Sequence, residues 1–304
     1  MRISVAFQCH RFNAEMTRRF EVLRDCAAAL SRGGVRYDVR VLADAAGEVP
    51  SPLAADAHRF RFEELRAMMA ETVGDTLVPG NNHLAMLDFA AAHPDYDRYW
   101  FVEYDVVRSG GWAAFFRAFE AEDADFLSTR LRRIADEPGW YWRGSLATGS
   151  DTVADEARLF AFMPICRLSR EALAATRTAC ARGWTGHYEA LVPTAVAAAG
   201  LAVSDIGGGG PFVPLKRRHR HYIEAAVPVS EEMEFLSTFR WRPPVRRKPV
   251  AGLLYHPDKG GVRAVGNPDL SLWRAFRREP VAVAAYFARL AVRAVTSRLS
   301  GSRA

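Results

Sequence analysis

Arg98-Tyr99-Trp100-Phe101-Val102-Glu103-Tyr104-Asp105-Val106-Val107 sets four consecutive apolar side chains ahead of two carboxylates that flank a tyrosine. An apolar run without polar alternation predicts a central strand covered on both faces. Side chains two positions apart on a strand share a face, so Glu103 and Asp105 are expected to project together. They would do so at the strand's carboxyl end, the edge where open α/β sheets take their ligands. Neighbouring carboxylates repel, and burying them unpaired is costly. A divalent cation answers both problems: Mg²⁺ or Mn²⁺ takes oxygen ligands and commonly shares them with substrate phosphates. The spacing alone is equally compatible with a solvated or arginine-paired couple at a strand end.

Outward from this stretch, strands and helices alternate. Ile3 to Cys9 reads as a buried strand. Asn13 is placed to cap the next helix, with Glu15 near its positive end and Phe20, Leu23 and Ala27 along one face. Val35 to Leu42 reads as a second strand. Helices are predicted over 62–71 and 81–93, the latter stopped by Pro94. Beyond Gly110-Gly111, a helix is expected over 112–119 and strands over 124–129, 159–166 and 201–206. Ser169 is placed to cap a helix reaching Arg182, and Gly200 closes another over 186–199. The alternation predicts an α/β fold, an open twisted mixed sheet flanked by helices, occupying residues 1–265. Residues 266–304 read as a basic amphipathic helical tail, with Val283, Phe287, Leu290 and Val295 on one face. Such a tail either lies on an anionic membrane or packs on the domain with its arginines outward.

A hydrophobic strand ending in acid–x–acid resembles the metal-binding and donor-binding motif of GT-A-type glycosyltransferases. Here Glu103-Tyr104-Asp105 carries Glu where that family more often has Asp. The resemblance implies a GT-A-like sheet. It also implies transfer of a sugar from a nucleotide-diphosphate donor to a hydroxyl acceptor, assisted by Mn²⁺ or Mg²⁺. Trp184-Thr185-Gly186-His187-Tyr188-Glu189 looks like the turn that supplies the general base in inverting members. Glu189 is then the implied base, with His187 its rival because an unperturbed imidazole titrates near neutrality. A Glu at that place is also what any helix N-terminus favours. In Leu253-Leu254-Tyr255-His256-Pro257-Asp258-Lys259, His256 resembles the family's late metal ligand and Lys259 its diphosphate contact. Arg11, Asn81 and Asn82 are candidate nucleotide contacts, with Tyr104 between the acids. Asparagine reads a base edge and arginine a phosphate, although the asparagine pair would equally cap a helix. Trp140, Tyr141 and Trp142 either stack on an acceptor sugar or anchor a loop on the core.

Composition narrows the remaining classes. The formal charge of +6 favours anionic partners without choosing among them. Lys216 to His221 and Arg246-Arg247-Lys248 are basic runs expected at the surface; no nucleic-acid module accompanies them, so nucleic acid is not an expected partner. The four cysteines form no CxxC pair and read as reduced thiols. No secretory h-region opens the chain and no apolar window is long enough to span a bilayer, so a cytoplasmic protein, peripheral at most, is expected. The expected acceptor is a glycan, lipid-linked saccharide or polysaccharide. A nucleotidyltransferase would want a glycine-rich basic loop after the first strand, where Gln8-Cys9-His10-Arg11-Phe12-Asn13 stands instead. A non-catalytic carbohydrate-binding or scaffold protein on a degenerate transferase fold is the other alternative.

Overall fold

A computed structural model describes residues 1–223, 238–239 and 251–259, with residues 284 and 288. Apart from the last two, the expected tail lies outside the described residues, as do the boundary at 265 and the run Arg246-Arg247-Lys248. The first half contains β1 (Arg2–Gln8), α1 (Ala14–Leu30), β2 (Arg36–Asp44), α2 (Ser51–Ala54), β3 (Ala57–Phe60), α3 (Phe62–Leu65) and α4 (Asn82–Ala92). Next come β4 (Arg98–Glu103), β5 (Val107–Arg108), α5 (Trp112–Arg117), β6 (Phe126–Arg133), β7 (Ala147–Thr148) and β8 (Leu159–Ser169). The described part closes with α6 (Arg170–Ala181), β9 (Trp184–Thr185), α7 (Tyr188–Ala198), β10 (Val203–Asp205) and β11 (Leu254–Tyr255).

Seven strands form one sheet in the order β10-β6-β8-β4-β1-β2-β3. β3, β2, β1 and β4 are parallel; β8 runs antiparallel to both β4 and β6, and β10 is parallel to β6. The sheet is therefore mixed and flanked by helices, the α/β architecture expected. The alternation of β4 explains its all-apolar sequence. Tyr99 and Phe101 join the core shared with α4, α6 and α7, whereas Trp100 and Val102 join the core shared with α1 and α5. The chain winds from β1 outward through β2 and β3, then returns to place β4 on the other side of β1. The last paired residues of β1 and β4, Gln8 and Glu103, thus flank the switch point where such sheets open a crevice.

The caps behave as read. Asn13 Oδ1 accepts from Met16 N at 2.9 Å, and Ser169 Oγ from Ala172 N at 3.0 Å. The helix expected over 62–71 is shorter: α3 stops at Leu65 and a 3₁₀ turn, Arg66–Met68, follows. Arg61 gives α3 no side-chain cap, and only Phe62 and Leu65 are buried, too few anchors for a longer helix. β8 continues past Pro164 to Ser169. The register with β6 jumps from Cys166 to Phe162 there, so the proline sits where no ladder donor is needed. The basic run 216–221 is not all surface: Arg217 is buried, donating to Ser204 Oγ at 2.7 Å and packing over Phe119. All four cysteines are free. Among the described residues no helix is long and apolar enough to cross a membrane.

Candidate active site

Strand pairing of β4 ends at Glu103, and Tyr104-Asp105 form a turn rather than a continuation of the strand. The expectation that strand geometry aims both acids is corrected on this point; the turn brings them together. Tyr104 N donates to Gln8 O at 2.9 Å and Val106 N to Glu103 O at 3.0 Å, which folds Asp105 back over the sheet edge. Beyond it, β5 pairs antiparallel with β11, Val107 opposite Tyr255, and this pairing delivers His256 to the acids. Asp258 N then donates to Asp105 O at 2.8 Å. Arg19, projecting from α1, ties the two segments together. Its guanidinium donates to Tyr104 O at 3.1 Å, Asp258 O at 2.7 Å and Asp258 Oδ1 at 3.0 Å.

Two cations meet two anions at this edge. His256 Nε2 lies 3.5 Å from Glu103 Oε2 and 3.5 Å from Asp105 Oδ1. Lys259 Nζ lies 2.8 Å from Asp105 Oδ2 and donates to the Tyr104 hydroxyl at 3.2 Å. The side chain of Asp105 is 3% exposed, that of Lys259 46%. Burial pulls the Asp105 carboxyl upward, but the charges and hydrogen bonding of His256 and Lys259 outweigh it and bring it down to about 2. For His256 burial acts downward and the two carboxylates overcome it, raising the imidazole to about 9. Asp105 Oδ1 is nonetheless buried without a hydrogen bond of normal geometry. One ligand atom from each of Glu103, Asp105 and His256 falls within 4.8 Å of the others, the only such group of metal-ligating side chains among the described residues.

The second element, around α7, adjoins the first. His187 is the N-cap of α7, its Nδ1 accepting from Glu189 N at 3.4 Å. A ring that accepts at Nδ1 carries its neutral-form proton on Nε2. Burial lowers the His187 pKa to about 4. Its ring stacks on Trp142, centroids 4.7 Å apart and planes 18° apart. Glu189 is buried, its Oε1 accepting from Met163 N at 3.3 Å, and burial raises its pKa to about 8, with the Glu103 charge adding to the rise. Two glycines permit this packing. A Cβ on Gly80 would approach Val73 to 2.8 Å and His187 to 3.3 Å; one on Gly186 would stand 2.5 Å from Ser145 O. Both have positive φ, at 107° and 129°.

The other candidates are dispersed. Arg11 is exposed on the loop after β1, beside His10, whose ring meets Tyr104 edge-on at 4.9 Å. Tyr104 stands between His10 and Lys259, whose Nζ is 5.3 Å from the ring centre. Asn81 is fully buried and its amide holds the preceding loop, accepting from Val73 N and donating to Val73 O and Thr76 O. It stands at the N-cap position of α4, but its side chain makes no capping bond and offers no free edge. Asn82 begins α4, its buried Oδ1 without a hydrogen bond. Two residues at the site escaped the sequence reading. Arg19 looks like any solvated helix arginine, and Gln8, with a buried unpartnered Nε2, is marked only by ending β1 opposite Glu103.

No protein-family model and no curated protein sequence matches the chain. Solved structures that align with part of the chain include the bifunctional glycosyltransferase WbbM, with 12% identity over 63% of this chain and a TM-score of 0.32. Mouse xyloside xylosyltransferase 1 aligns with 10% identity over 68% of the chain and 84% of its own, TM-score 0.37. The galactosyltransferase LgtC, solved with donor and acceptor sugar analogs, aligns with 9% identity over 67% of the chain and 73% of its own, TM-score 0.34. The chain spans about a third of WbbM, 36% of its length. At these scores the likeness aligns no individual residue and identifies no substrate.

Proposed function

We propose that this chain is a glycosyltransferase that moves a sugar from a nucleotide-diphosphate donor to a hydroxyl acceptor, with inversion and with the help of a divalent cation. One observation carries the reading: Glu103, Asp105 and His256 converge at the carboxyl end of β4, beside the switch point of the sheet. Two carboxylates and an imidazole suit Mn²⁺ or Mg²⁺, and the buried, unbonded Asp105 Oδ1 is the kind of atom such an ion satisfies. Bound there, the ion would offset the charge that builds on the departing diphosphate.

The chain's own residues account for the rest of the chemistry. Lys259 is half-exposed at the rim and reaches a diphosphate by a side-chain rotation, with Arg11 on the opposite loop as a second cation. Gln8 Nε2, buried without a partner where β1 ends opposite Glu103, and Tyr104 are the further donor contacts in this reading. Glu189 is the base that takes the acceptor hydroxyl's proton as its oxygen attacks the anomeric carbon. Burial raises this carboxyl to about 8, so its ionised form binds a proton more tightly than a free carboxylate does. His187, with Nδ1 engaged at the cap, positions the start of α7 and leaves the base role to Glu189.

The test is a screen of nucleotide sugars for thermal stabilisation, with and without Mn²⁺. A donor present at a hundred times its Kd raises the melting temperature by something on the order of 5 °C for a chain of this size. A shift seen with one donor and abolished by Asp105→Asn supports the reading. No shift with any donor, in either condition, sinks it.

A further inference from the structure

The glycines that follow β10 are shaped around one tyrosine. Asp205, at the end of β10, is fully buried, and its Oδ1 accepts from Gly207 N at 2.8 Å and Gly208 N at 3.1 Å. The hydroxyl of Tyr222, also buried, donates to Asp205 Oδ2 at 2.9 Å. A Cβ on Gly208 would stand 2.3 Å from that hydroxyl oxygen, so no larger residue fits there with the ring in place. The same hydroxyl accepts from Arg130 N at 2.6 Å, and Leu131 N donates to Asp205 Oδ2 at 3.0 Å. Arg130 and Leu131 fall between the paired residues Thr129 and Arg132, where the register of β6 with β8 shifts, and Arg130 holds a left-handed φ of 47°. The bonds that such a bulge takes out of the ladder are supplied by a buried carboxylate and a buried phenol.

From Tyr222 the bonding runs on to His256. Ile223 N donates to Thr238 Oγ1 and Thr238 N to Ile223 O, both at 3.0 Å, and His256 N donates to Thr238 O at 3.0 Å. On the other side of the tyrosine, His221 O accepts from Leu254 N at 2.7 Å. The rings repeat the order: Tyr222 and Phe239 have centroids 5.7 Å apart, Phe239 and His256 5.3 Å. Phe162, on β8, adds a third ring 5.2 Å from the imidazole. The pairing of β11 with β5 ends at Tyr255, so it leaves His256 one position beyond the last ladder partner.

We propose that Tyr222 is a positioning residue for His256, acting through Thr238 and Phe239 to fix the imidazole against Glu103 and Asp105. Its hydroxyl is the anchor. It fastens the segments that carry His256 to Asp205 at the end of β10, across β6 and β8 from β4. The imidazole has to face two carboxylates at once, 3.5 Å from each, so a small displacement gives up one of them. Groups that orient a metal ligand from behind govern how well the set holds an ion, and a ligand delivered by a two-residue strand depends on them. The part of this inference that concerns the cation rests on the transferase reading above; the placing of His256 in the metal-free chain does not.

The experiment compares the full wild-type chain with Tyr222→Phe and Thr176→Val. The first keeps the ring and loses the hydroxyl. The second loses an equally buried hydroxyl on α6, bonded within its own helix to Ala172 O, and so registers what a general loss of stability does. In the metal-free chain the His256 ring C–H signals, assigned with His256→Gln, should shift in Tyr222→Phe and stay in place in Thr176→Val. Amide exchange at His256 should quicken roughly tenfold in Tyr222→Phe alone. In calorimetric titrations the Mn²⁺ affinity should fall roughly tenfold in Tyr222→Phe alone. Unmoved ring signals overturn the proposal, as does an unmoved Mn²⁺ affinity where the wild type binds the ion. Equal changes in both variants also overturn it and mark the hydroxyl as structural. If the wild type binds no Mn²⁺, the cation reading fails, and the ring signals and exchange still decide whether Tyr222 places His256. Should Tyr222→Phe not fold, Phe239→Leu, which interrupts the ring contact with His256, is held to the same outcomes.

Discussion

Replacing Glu189 by glutamine separates its charge from its shape. The Glu189→Gln side chain keeps the volume and the oxygen that accepts from Met163 N, and it removes the ionisation. Burial raises the Glu189 carboxyl from 4.5 to about 8, so the folded chain holds this proton more tightly than the unfolded chain does. The sign follows: the associated stability is fully present below about pH 4.5 and is lost as pH rises through about 8. At 1.36 kcal/mol per tenfold change in proton affinity, the whole window corresponds to about 5 kcal/mol, of which about 3 kcal/mol falls between pH 6 and pH 9. Urea denaturation of both chains at pH 6, 7.5 and 9 measures it. The wild type should lose about 3 kcal/mol more than Glu189→Gln across that range. Other groups titrating there are common to both chains and cancel in the comparison. The amide carries its own burial penalty, but equally at every pH, so the difference in slope isolates the carboxyl. Equal slopes would refute the claim that Glu189 is buried as a proton-holding acid, and with it the reason to make it the base.

Two further predictions concern the acidic edge. Lys259 is a resident cation on Asp105 Oδ2, an oxygen that a divalent ion would use, so Lys259→Met should raise Mn²⁺ affinity roughly five- to tenfold in a calorimetric titration. Unchanged or weaker binding would show that the lysine does not compete there. Arg19→Met removes the clamp between the 104–105 turn and Asp258. Charge-assisted hydrogen bonds of this kind contribute about 1.5–3 kcal/mol, so amide exchange at His256 and Asp258 should quicken by a factor of about ten or more, with β1 and β4 little affected. Exchange that stays at the wild-type rate would assign Arg19 to the surface after all.

The fold was legible because its strongest signals are local and periodic. A strand apolar on both faces, two side-chain caps at Asn13 and Ser169, and Gly200 just past the end of α7 each follow from a few neighbouring residues. The misreadings come from pairing, which no local pattern encodes. The length of α3 depended on how many of its residues found the core, and Pro164 was tolerated because the register with β6 breaks around it. Arg217 and Asn81 were read by residue type as surface and as cap or ligand. Both are buried because each finds enough partners inside to replace water.

The candidate site was half legible for a different reason. Glu103 and Asp105 announce themselves by proximity in the chain, but an acidic pair means nothing until its counter-charges are known. Those arrive from residues 256 and 259, with Lys259 155 positions beyond the tyrosine it contacts. They are brought by a two-residue strand whose only recommendation in sequence is a short apolar run. The strand does not by itself hold them in place: Arg19 does so from α1, through its bonds to Asp258. The arrangement explains why the carboxylates can be buried at all. With His256 and Lys259 charged, each carboxylate faces a cation among the described residues, so the fold does not depend on a ligand to keep Asp105 in the interior. A site built this way is folded without any ligand. Any ligand that takes Asp105 must displace a cation already there, which makes Lys259 the residue whose replacement distinguishes a working cation site from a closed internal ion pair.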